Sequence, residues 1–375
     1  MADLKIFGEH LIDGKTVDQM HKAMKAPGVL QGALMPDAHL GYTMPIGGVI
    51  KTEDVVYPSW VGYDIGCGVC YIETSFNKDD VQANSVEIFN RIKQLVPLGP
   101  TRHDVPITYM PNILYTDVIC EYKKSRSVSQ QMGTLGANNH FIEVGFNRAN
   151  KICIVIHSGS RNLGHHVATQ YMSLACYLET GVCKAREGNY GLSVSKHPDR
   201  LNAYITDYTY CVYMALLNRK VMLNIVERAM HDVLGDTAGQ VRMTSLINKV
   251  HNSVTITKDH CFIHRKGATD ATKGTRGVVP GGPSVGSFVV RGLGNPDSLD
   301  SSSHGSGRAM SPTKAKQKYD TADHRIAMQG ITCDTGGKHL REIPLSYKDG
   351  GAVMDAQTDL VEVVDHVRPI LVVKG

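Results

Sequence analysis

Four histidines stand in short polar motifs, all of which contain glycine and three of which contain arginine. The motifs GANNH, HSGSR, HRKGAT and HGSGR place His140, His157, His264 and His304 beside turns or basic clusters. A histidine packed in a core gains nothing from small neighbours and a guanidinium. A site for metal and phosphate needs imidazole ligands, close backbone approach and fixed positive charge together. The motifs therefore predict a site of that kind.

A fifth motif, YDIGCG, contributes a carboxylate and a thiol three residues apart, Asp64 and Cys67. A thiolate can bridge two cations, and a nearby carboxylate favours a divalent ion. Together with His140, His157 and His264, these residues could hold one or two ions of the manganese or zinc type. The alternative for each residue is structural: a tight turn with a buried cysteine, and strand-end histidines that only form hydrogen bonds.

Two motifs have the composition of phosphate sites. In HSGSR, small residues let backbone N–H groups face an anion, and Arg161 can add a bidentate clamp. In HGSGR, His304 has the uncrowded backbone that a histidine needs to attack phosphorus, and Arg308 can hold the non-bridging oxygens. The alternatives are an ordinary turn for the first motif and a serine/glycine surface loop for the second.

The elements that must position these residues can be predicted from periodicity and composition. We predict helices over 83–97, 164–175 and 199–233 and strands over 151–156, 261–263, 287–290 and 369–373. The apolar phase slips between Leu216 and Met222, which predicts a break in the longest helix. The glycine-rich stretch 266–311 is predicted to be a functional loop inside a single α+β domain that spans residues 1–375.

Composition restricts the class of protein. Hydrophobic residues make up 42% of the chain and charged residues 20%, which is typical of a soluble globular protein. The first residues lack the layout of a signal peptide, and nine scattered cysteines favour a reducing compartment, so we expect a cytoplasmic protein without a membrane segment. A net charge of +4 permits a nucleic-acid substrate, whereas 6% aromatic residues argue against an extended base-stacking surface.

Seven segments, taken in order, resemble one family. They are PDAHLGYTMPIGGV (36–49), VGYDIGCG (61–68), LGANNHFIEV (135–144), HSGSRNLG (157–164), HRKGAT (264–269), SSHGSGRAMS (302–311) and VKG (373–375). Their order is typical of the RtcB family of 3′-phosphate RNA ligases, and the similarity runs from about residue 20 to the last residue. The resemblance implies an α+β fold with mixed β-sheets flanked by helices around a central metal cleft.

The resemblance also implies an activity: GTP-dependent joining of RNA 3′-phosphate or 2′,3′-cyclic phosphate ends to 5′-hydroxyl ends, with two Mn²⁺ ions, in RNA repair or tRNA splicing. By similarity, the metal ligands are Asp64, Cys67, His140, His157 and His264. The resemblance makes His304 the histidine that carries GMP, and Arg161 and Arg308 the arginines that bind phosphate. The nucleotide-binding residues that it implies are Asn139, Glu143, Ser287, Gly305, Ser306, Gly307, Tyr347 and Lys374. We expect a monomer, and leave open whether an activating protein partner is needed.

The chain departs from the family pattern at several positions. Ala137 and Asn138 replace a small pair that is usually Gly-Gly, Asn162 follows the arginine of HSGSR, and Pro312 replaces a basic residue. The segment PGGPSVGSF (280–288) differs from the usual PGSMGTASY, with Phe288 in place of a tyrosine. Because this loop touches nucleotide in the family, guanine selectivity and RNA-end preference are the properties that these changes put in question.

Two other classes of protein are compatible with parts of the pattern. A metal-dependent phosphodiesterase would act on RNA ends without nucleotide capture, but the HGSGR motif and Lys374 argue against it. A non-enzymatic RNA-binding or chaperone-like protein would bind RNA whether or not Cys67 is present. A covalent GMP adduct on His304 would distinguish the ligase from both alternatives.

Overall fold

Two large β-sheets and the helices around them form the fold. The computed structural model describes residues 2–107, 110, 112–125, 128–182 and 188–375. The strands are β1 (Asp3–Ile6), β2 (Val29–His39), β3 (Ile46–Thr52), β4 (Val55–Val56), β5 (Gly68–Glu73), β6 (Phe141–Phe146), β7 (Ile152–Ser158), β8 (Leu192–Ser193), β9 (Ile247–Val250), β10 (Asn252–Ile256), β11 (Phe262–Lys266), β12 (Ala268–Asp270), β13 (Arg276–Pro280), β14 (Ser287–Gly292), β15 (Ser301–Ser303), β16 (Thr332–Cys333) and β17 (Val361–Lys374). The α-helices are α1 (Gly14–Ala23), α2 (Pro58–Val61), α3 (Lys78–Ala83), α4 (Ser85–Leu95), α5 (Asp117–Ser125), α6 (Val128–Gln131), α7 (Arg161–Thr180), α8 (Pro198–Leu234), α9 (Pro312–Lys318), α10 (Thr321–Ala327) and α11 (Gly350–Asp355).

The smaller of the two sheets has the order β1-β2-β3-β11-β10. Its β1–β2 pair is parallel, and its other pairs are antiparallel. Two short two-stranded sheets, β4-β8 and β12-β15, complete the set outside the larger sheet. Helices and mixed sheets coexist, so the predicted α+β class is confirmed.

The larger sheet brings distant parts of the chain to one end. Its order is β13-β14-β17-β6-β7-β5-β9, with β16 beside β17. Lys374 at the end of β17 pairs with Phe141 at the start of β6, and Phe141 pairs with His157 near the end of β7. Gly68 at the start of β5 pairs with both Ser158 and Val250. Residues that are up to about 300 positions apart in sequence therefore meet along one edge.

The long helix α8 lies against the middle of this sheet. Its second half buries Met222, Leu223, Val226, Ala229 and Met230 in the same core cluster as Ile152, Ile154 and Ile156 of β7 and the apolar face of α4. Its first half contributes Tyr204, Tyr210 and Cys211 to a second cluster shared with α7. The helix thus connects two cores and holds the sheet edge in place. Among the residues that the structure describes, we find no helix with both the length and the apolar character that crossing a lipid bilayer requires.

Most of the predicted elements are present. The four predicted strands correspond to β7, β11, β14 and β17, and the predicted helices correspond to α4, α7 and α8. Two predictions are wrong. Helix α8 continues without a break. Its buried face runs through Asn218 and Arg219, which are polar but buried, so the spacing of apolar residues alone shows a gap there. The stretch 266–311 is not one continuous loop, since it contains the strands β12, β13, β14 and β15.

Candidate active site

The first predicted ligand pair lies in the tight turn between α2 and β5. The turn is closed by the Cys67 N–H, which donates to the Asp64 carbonyl at 3.0 Å. The Asp64 carboxylate packs against the backbone of Gly159, where a Cβ atom would lie 2.0 Å from Asp64 Oδ1. Glycine at position 159 therefore leaves the space that brings this carboxylate to the HSGSR motif.

The side chains around Cys67 form two groups of three ligand atoms. In the first group, His140 Nε2 lies 3.0 Å from Asp64 Oδ2 and 3.5 Å from Cys67 Sγ. In the second, His157 Nε2 lies 3.2 Å from Cys67 Sγ and 3.3 Å from His251 Nε2. Within each group all ligand atoms lie within 4.8 Å of one another. Because Cys67 belongs to both groups, the arrangement could hold two cations bridged by one thiolate.

The donor set is in a state that fits a metal. Burial holds the pKa of His157 and of His251 well below the usual value, so both imidazoles are neutral with a free lone pair. Burial raises the pKa of the Cys67 thiol well above its usual value, and Asp64 raises it further. A thiol of this kind becomes a thiolate only when a cation offsets that cost. Thiolate, imidazole and carboxylate ligands are compatible with either manganese or zinc.

Main-chain carbonyls orient two of the histidines. His140 Nδ1 lies 2.9 Å from the Leu135 carbonyl oxygen, and His157 Nδ1 lies 3.2 Å from that of Asn139. A carbonyl can only accept, so each Nδ1 carries the hydrogen and each Nε2 lone pair points toward Cys67. The ligand groups are therefore fixed before any ion binds.

Helix α8 supports the site from behind with two buried polar residues. Arg219 Nη1 donates to the carbonyls of Gly66 at 3.0 Å and Ser158 at 2.6 Å, which adjoin Cys67 and His157 in the chain. Asn218 Nδ2 donates to the Gly159 carbonyl at 3.2 Å. One helix thus anchors both ligand-bearing loops through their main chains.

The structure corrects the predicted role of His264. Strand β11 continues to Lys266, so His264 lies inside the strand and is fully buried against the rings of Tyr57 and Trp60. Its Nε2 accepts the Tyr57 N–H at 3.0 Å, and its Nδ1 lies 3.4 Å from the Ile50 carbonyl oxygen. Since both ring nitrogens are engaged, neither has a lone pair for a metal. His251, at the junction of β9 and β10, occupies the position that we had predicted for His264.

His304 faces the same ligand groups. Its ring centroid lies 4.7 Å from that of His251, and the two rings meet edge to face. On its other side, His304 Nδ1 lies 2.7 Å from Oδ2 of the fully buried Asp37. The same carboxylate oxygen accepts the main-chain N–H groups of His304 and Gly305, each at 3.2 Å. Asp37 thereby holds the loop that carries His304 and places a carboxylate beside the Nδ1 side of its ring.

These groups share one cavity of about 500 Å³. The predicted site residues that line it are Asp64, Cys67, Asn139, Glu143, His157, His304, Gly305, Ser306, Gly307, Arg308, Tyr347 and Lys374. Ser287 lies behind the wall and donates from Oγ to Glu143 Oε2 at 3.4 Å. Burial raises the pKa of Glu143 to about 8, and its Oε1 has no hydrogen-bond partner in the described part of the chain. This carboxyl is available to a ligand that carries N–H donors.

Three predicted nucleotide or phosphate residues converge on a carboxylate that we did not predict. Glu342, the last residue of a short 3-10 helix, accepts from Arg308 Nη1 at 3.0 Å and lies 3.8 Å from Lys374 Nζ. It also accepts a short hydrogen bond from the Tyr347 hydroxyl. The Arg308 guanidinium lies 5.1 Å from the centre of the Tyr347 ring. Glu342 therefore offsets the positive charges of Arg308 and Lys374 and orients the Tyr347 ring that lies near both.

Arg161 lies outside the set of residues that line this cavity. Its Nε donates to Thr134 Oγ1 at 3.2 Å, and its Nη2 donates to the Gly99 carbonyl at 3.4 Å. Against the effect of burial, the contact with His140 is the main cause that holds the pKa of the Asp64 carboxyl below its usual range, and the charge of Arg161 adds to it. In this state of the site, Arg161 braces the loops beside Asp64.

The departures from the family pattern have visible consequences. Asn138 has a φ of 64°, a left-handed conformation that asparagine tolerates better than most residues, so the turn before His140 is kept without glycine. Gly282 and Pro283 line the cavity, whereas the Phe288 ring stacks on His366 at 4.5 Å. The altered segment 280–288 therefore touches the cavity through its turn.

Sequence reasoning missed His251, Asp37 and Glu342. His251 lacks the glycine and arginine neighbours that marked the other histidines, so the sequence favoured a structural role for it. Asp37 lies in the segment PDAHLGYT, where an acidic residue among apolar ones is a signal of a buried charge. Glu342 lies in a polar helix with nothing in its neighbours to distinguish it. Only the folded geometry identifies it.

Comparison with known proteins agrees with the geometry. The family model described as "tRNA-splicing ligase RtcB" matches residues 19–116 and 111–375. RNA-splicing ligase RtcB of Escherichia coli (strain K12) is 33% identical over 392 residues, which cover 97% of this chain and 95% of the relative. RNA-splicing ligase RtcB homolog 1 of Entamoeba dispar is 27% identical, covering 96% and 82%. The tRNA-splicing ligase RtcB of Pyrobaculum aerophilum is 26% identical, covering 98% and 92%. The family-model match over most of the chain and the 33% identity to the Escherichia coli protein show that the chain belongs to the RtcB family.

Proposed function

We propose that this protein is an RNA ligase that uses GTP and two Mn²⁺ ions to join 3′-phosphate or 2′,3′-cyclic phosphate ends to 5′-hydroxyl ends. The observation that carries the proposal is the position of His304, whose ring contacts His251 of the Cys67-centred ligand groups inside one cavity. A nucleophile beside a pair of cation sites is the arrangement that nucleotide transfer requires. RNA ligation is also the activity that the names of the relatives state.

The proposed metal ligands are Asp64, Cys67 and His140 for one ion and Cys67, His157 and His251 for the other. Bound there, the ions would orient the triphosphate and neutralise the charge that develops on it. The protein supplies the fixed geometry, because main-chain carbonyls hold His140 and His157 in the tautomer that coordinates.

In the proposed reaction, His304 Nε2 attacks the α-phosphorus of GTP and pyrophosphate leaves. GMP then passes from His304 to the RNA 3′-phosphate, and the 5′-hydroxyl displaces GMP to form the new phosphodiester. Where the RNA end is cyclic, water first opens the ring. The Asp37 carboxylate stabilises the positive imidazole during each transfer.

The guanine end of GTP is assigned to the wall formed by Asn139, Glu143, Tyr347 and Lys374, with Ser287 behind Glu143. The buried Glu143 carboxyl supports this assignment because guanine carries adjacent N–H donors that would satisfy it. The Tyr347 ring, held by Glu342 and flanked by Arg308, offers a face for the purine. We further propose that the protein acts as a monomeric single domain in the cytoplasm, in RNA repair or tRNA splicing.

Replacing Asp37 by asparagine tests the positioning of His304. We expect the single-turnover rate of adduct formation with labelled GTP to fall about 10-fold, because the group 2.7 Å from His304 Nδ1 loses its negative charge. Asp37→Ala should be slower still, since His304 and Gly305 both lose their acceptor. The affinity for GTP should change much less than the rate. An unchanged rate in both variants would contradict the assignment.

Ligation of defined RNA ends tests the proposal as a whole. RNA with a 3′-phosphate and RNA with a 5′-hydroxyl are incubated with GTP and either manganese, zinc or magnesium. We expect a joined product that requires both GTP and manganese. Hydrolysis of a cyclic phosphate without a joined product and without need for GTP would instead identify a phosphodiesterase.

A further inference from the structure

One side of the active-site cavity carries an exposed aromatic ring. Tyr42 lines the cavity mouth on the loop between β2 and β3, and 77% of its surface is exposed. The loop is held in shape by Gln19, whose Nε2 donates to the carbonyls of Gly41 and Tyr42 at 2.9 Å each. Gln19 Oε1 also accepts the Gly41 N–H at 3.0 Å. The exposed ring therefore stands on a braced backbone.

Tyr42 is the outermost ring of an aromatic series. It meets Tyr63 edge to face, with ring centroids 5.8 Å apart, and Tyr63 stacks on His165 at 4.8 Å with 20° between the planes. Tyr63 directly precedes Asp64 in the chain and also lines the cavity. The series thus connects the mouth of the cavity with the ligand groups.

A cation lies beside the same loop. A Cβ atom on Gly41 would lie 3.5 Å from Lys266 Nζ, so this ammonium group reaches the backbone next to Tyr42. Lys266 is buried, lines the cavity and donates to the Ser59 carbonyl at 3.3 Å. An aromatic face next to a fixed cation is the combination by which proteins hold single-stranded nucleic acid, with the base on the ring and the phosphate at the cation.

We propose that Tyr42 is the stacking site for the terminal nucleobase of an RNA end that enters the cavity. The inference rests on the proposed function, since it assumes that RNA ends are the substrate. One exposed ring provides room for one base, so it adds a single stacking position rather than an extended surface. The site recognises an unpaired terminal base of either the 3′-phosphate or the 5′-hydroxyl strand.

Binding to base-bearing and abasic RNA tests the proposal. Short oligoribonucleotides carry either a 3′-phosphate or a 5′-hydroxyl end, each with or without a base on the terminal nucleotide. Their affinity for the whole protein is measured by fluorescence anisotropy with manganese and without GTP. For the end that occupies the site, we expect the abasic oligonucleotide to bind about 5- to 150-fold more weakly. The arm that shows this loss identifies the strand.

The same measurements on variants attribute the loss to Tyr42. In Tyr42→Ala the abasic and base-bearing oligonucleotides should bind equally, and Tyr42→Phe should keep the difference. Tyr213→Ala is the matched control, because it removes a half-exposed tyrosine of α8 that lies outside the cavity, and it should also keep the difference. A difference that persists in Tyr42→Ala, or that is missing from both arms with the unaltered protein, overturns the proposal.

The outcomes also separate this inference from the proposed function. Protein that shows the abasic difference but joins no RNA contradicts the ligase function and leaves the stacking site standing. Protein that joins RNA without the difference overturns the stacking site alone.

Discussion

Replacing His304 by alanine is expected to abolish the covalent GMP adduct. With labelled GTP and manganese, the unaltered protein should acquire a label that survives denaturation and is released by acid or hydroxylamine, as a phosphorus–nitrogen bond is. The variant should acquire none, because the imidazole is the only group that Asp37 directs toward the cation sites among the described residues. Ligation of RNA should be lost with the adduct.

A second histidine provides the control. His231→Ala alters a histidine in the last turn of α8, where Nδ1 lies 3.1 Å from the Gly235 carbonyl oxygen, and the labelling should be retained. A stable adduct in His304→Ala would show that another residue is the nucleophile. The proposed transfer sequence would then be wrong even if the family assignment stands.

The pair His251→Ala and His264→Ala is expected to separate metal binding from stability. His251→Ala removes one of three ligands from one cation site, so the bound manganese should fall from two ions to one per protein. His264→Ala should retain both ions. It should instead lower the free energy of unfolding by about 2–4 kcal/mol, because a buried ring is lost and the Tyr57 N–H loses its acceptor.

Metal content after manganese loading and dialysis, and denaturant unfolding of the same samples, measure the two effects. His264→Gln provides a milder change at the same position and should likewise retain both ions. Loss of an ion from both His264 variants, with His251→Ala retaining two, would restore the ligand set that the motifs predicted.

The His264 error shows what a motif can and cannot reveal. HRKGAT resembles the other three histidine motifs in composition, and the histidines of those three motifs do line the cavity or belong to its ligand groups. The side chain of His264 is directed by strand pairing instead, opposite Ile50 on one neighbour and Val254 on the other. The pairing with β3 depends on residues more than 200 positions away, so the sequence around His264 does not contain it.

The long helix provides a second case. Its length and its lack of glycine and proline were sufficient to predict its existence, and the apolar spacing at each end was sufficient to predict which face is buried. The middle was misread because apolar residues alone were counted. Asn218 and Arg219 are buried in phase with Ala215 and Met222, and they are polar because they bond to the loops of Cys67 and His157. Two polar residues on an otherwise apolar buried face therefore indicate where the helix supports the site.

The site residues come from distant parts of the chain, so they are synthesised at different times. Ribosomes extend a chain from its amino terminus, so Asp64, Cys67 and His140 exist well before His251, and His304 is made last of these five. The ligand group of Cys67, His157 and His251 can close only after residue 251 has been synthesised. The nascent chain therefore carries incomplete ligand groups until the segments with His251 and His304 can pack against Cys67 and its neighbours.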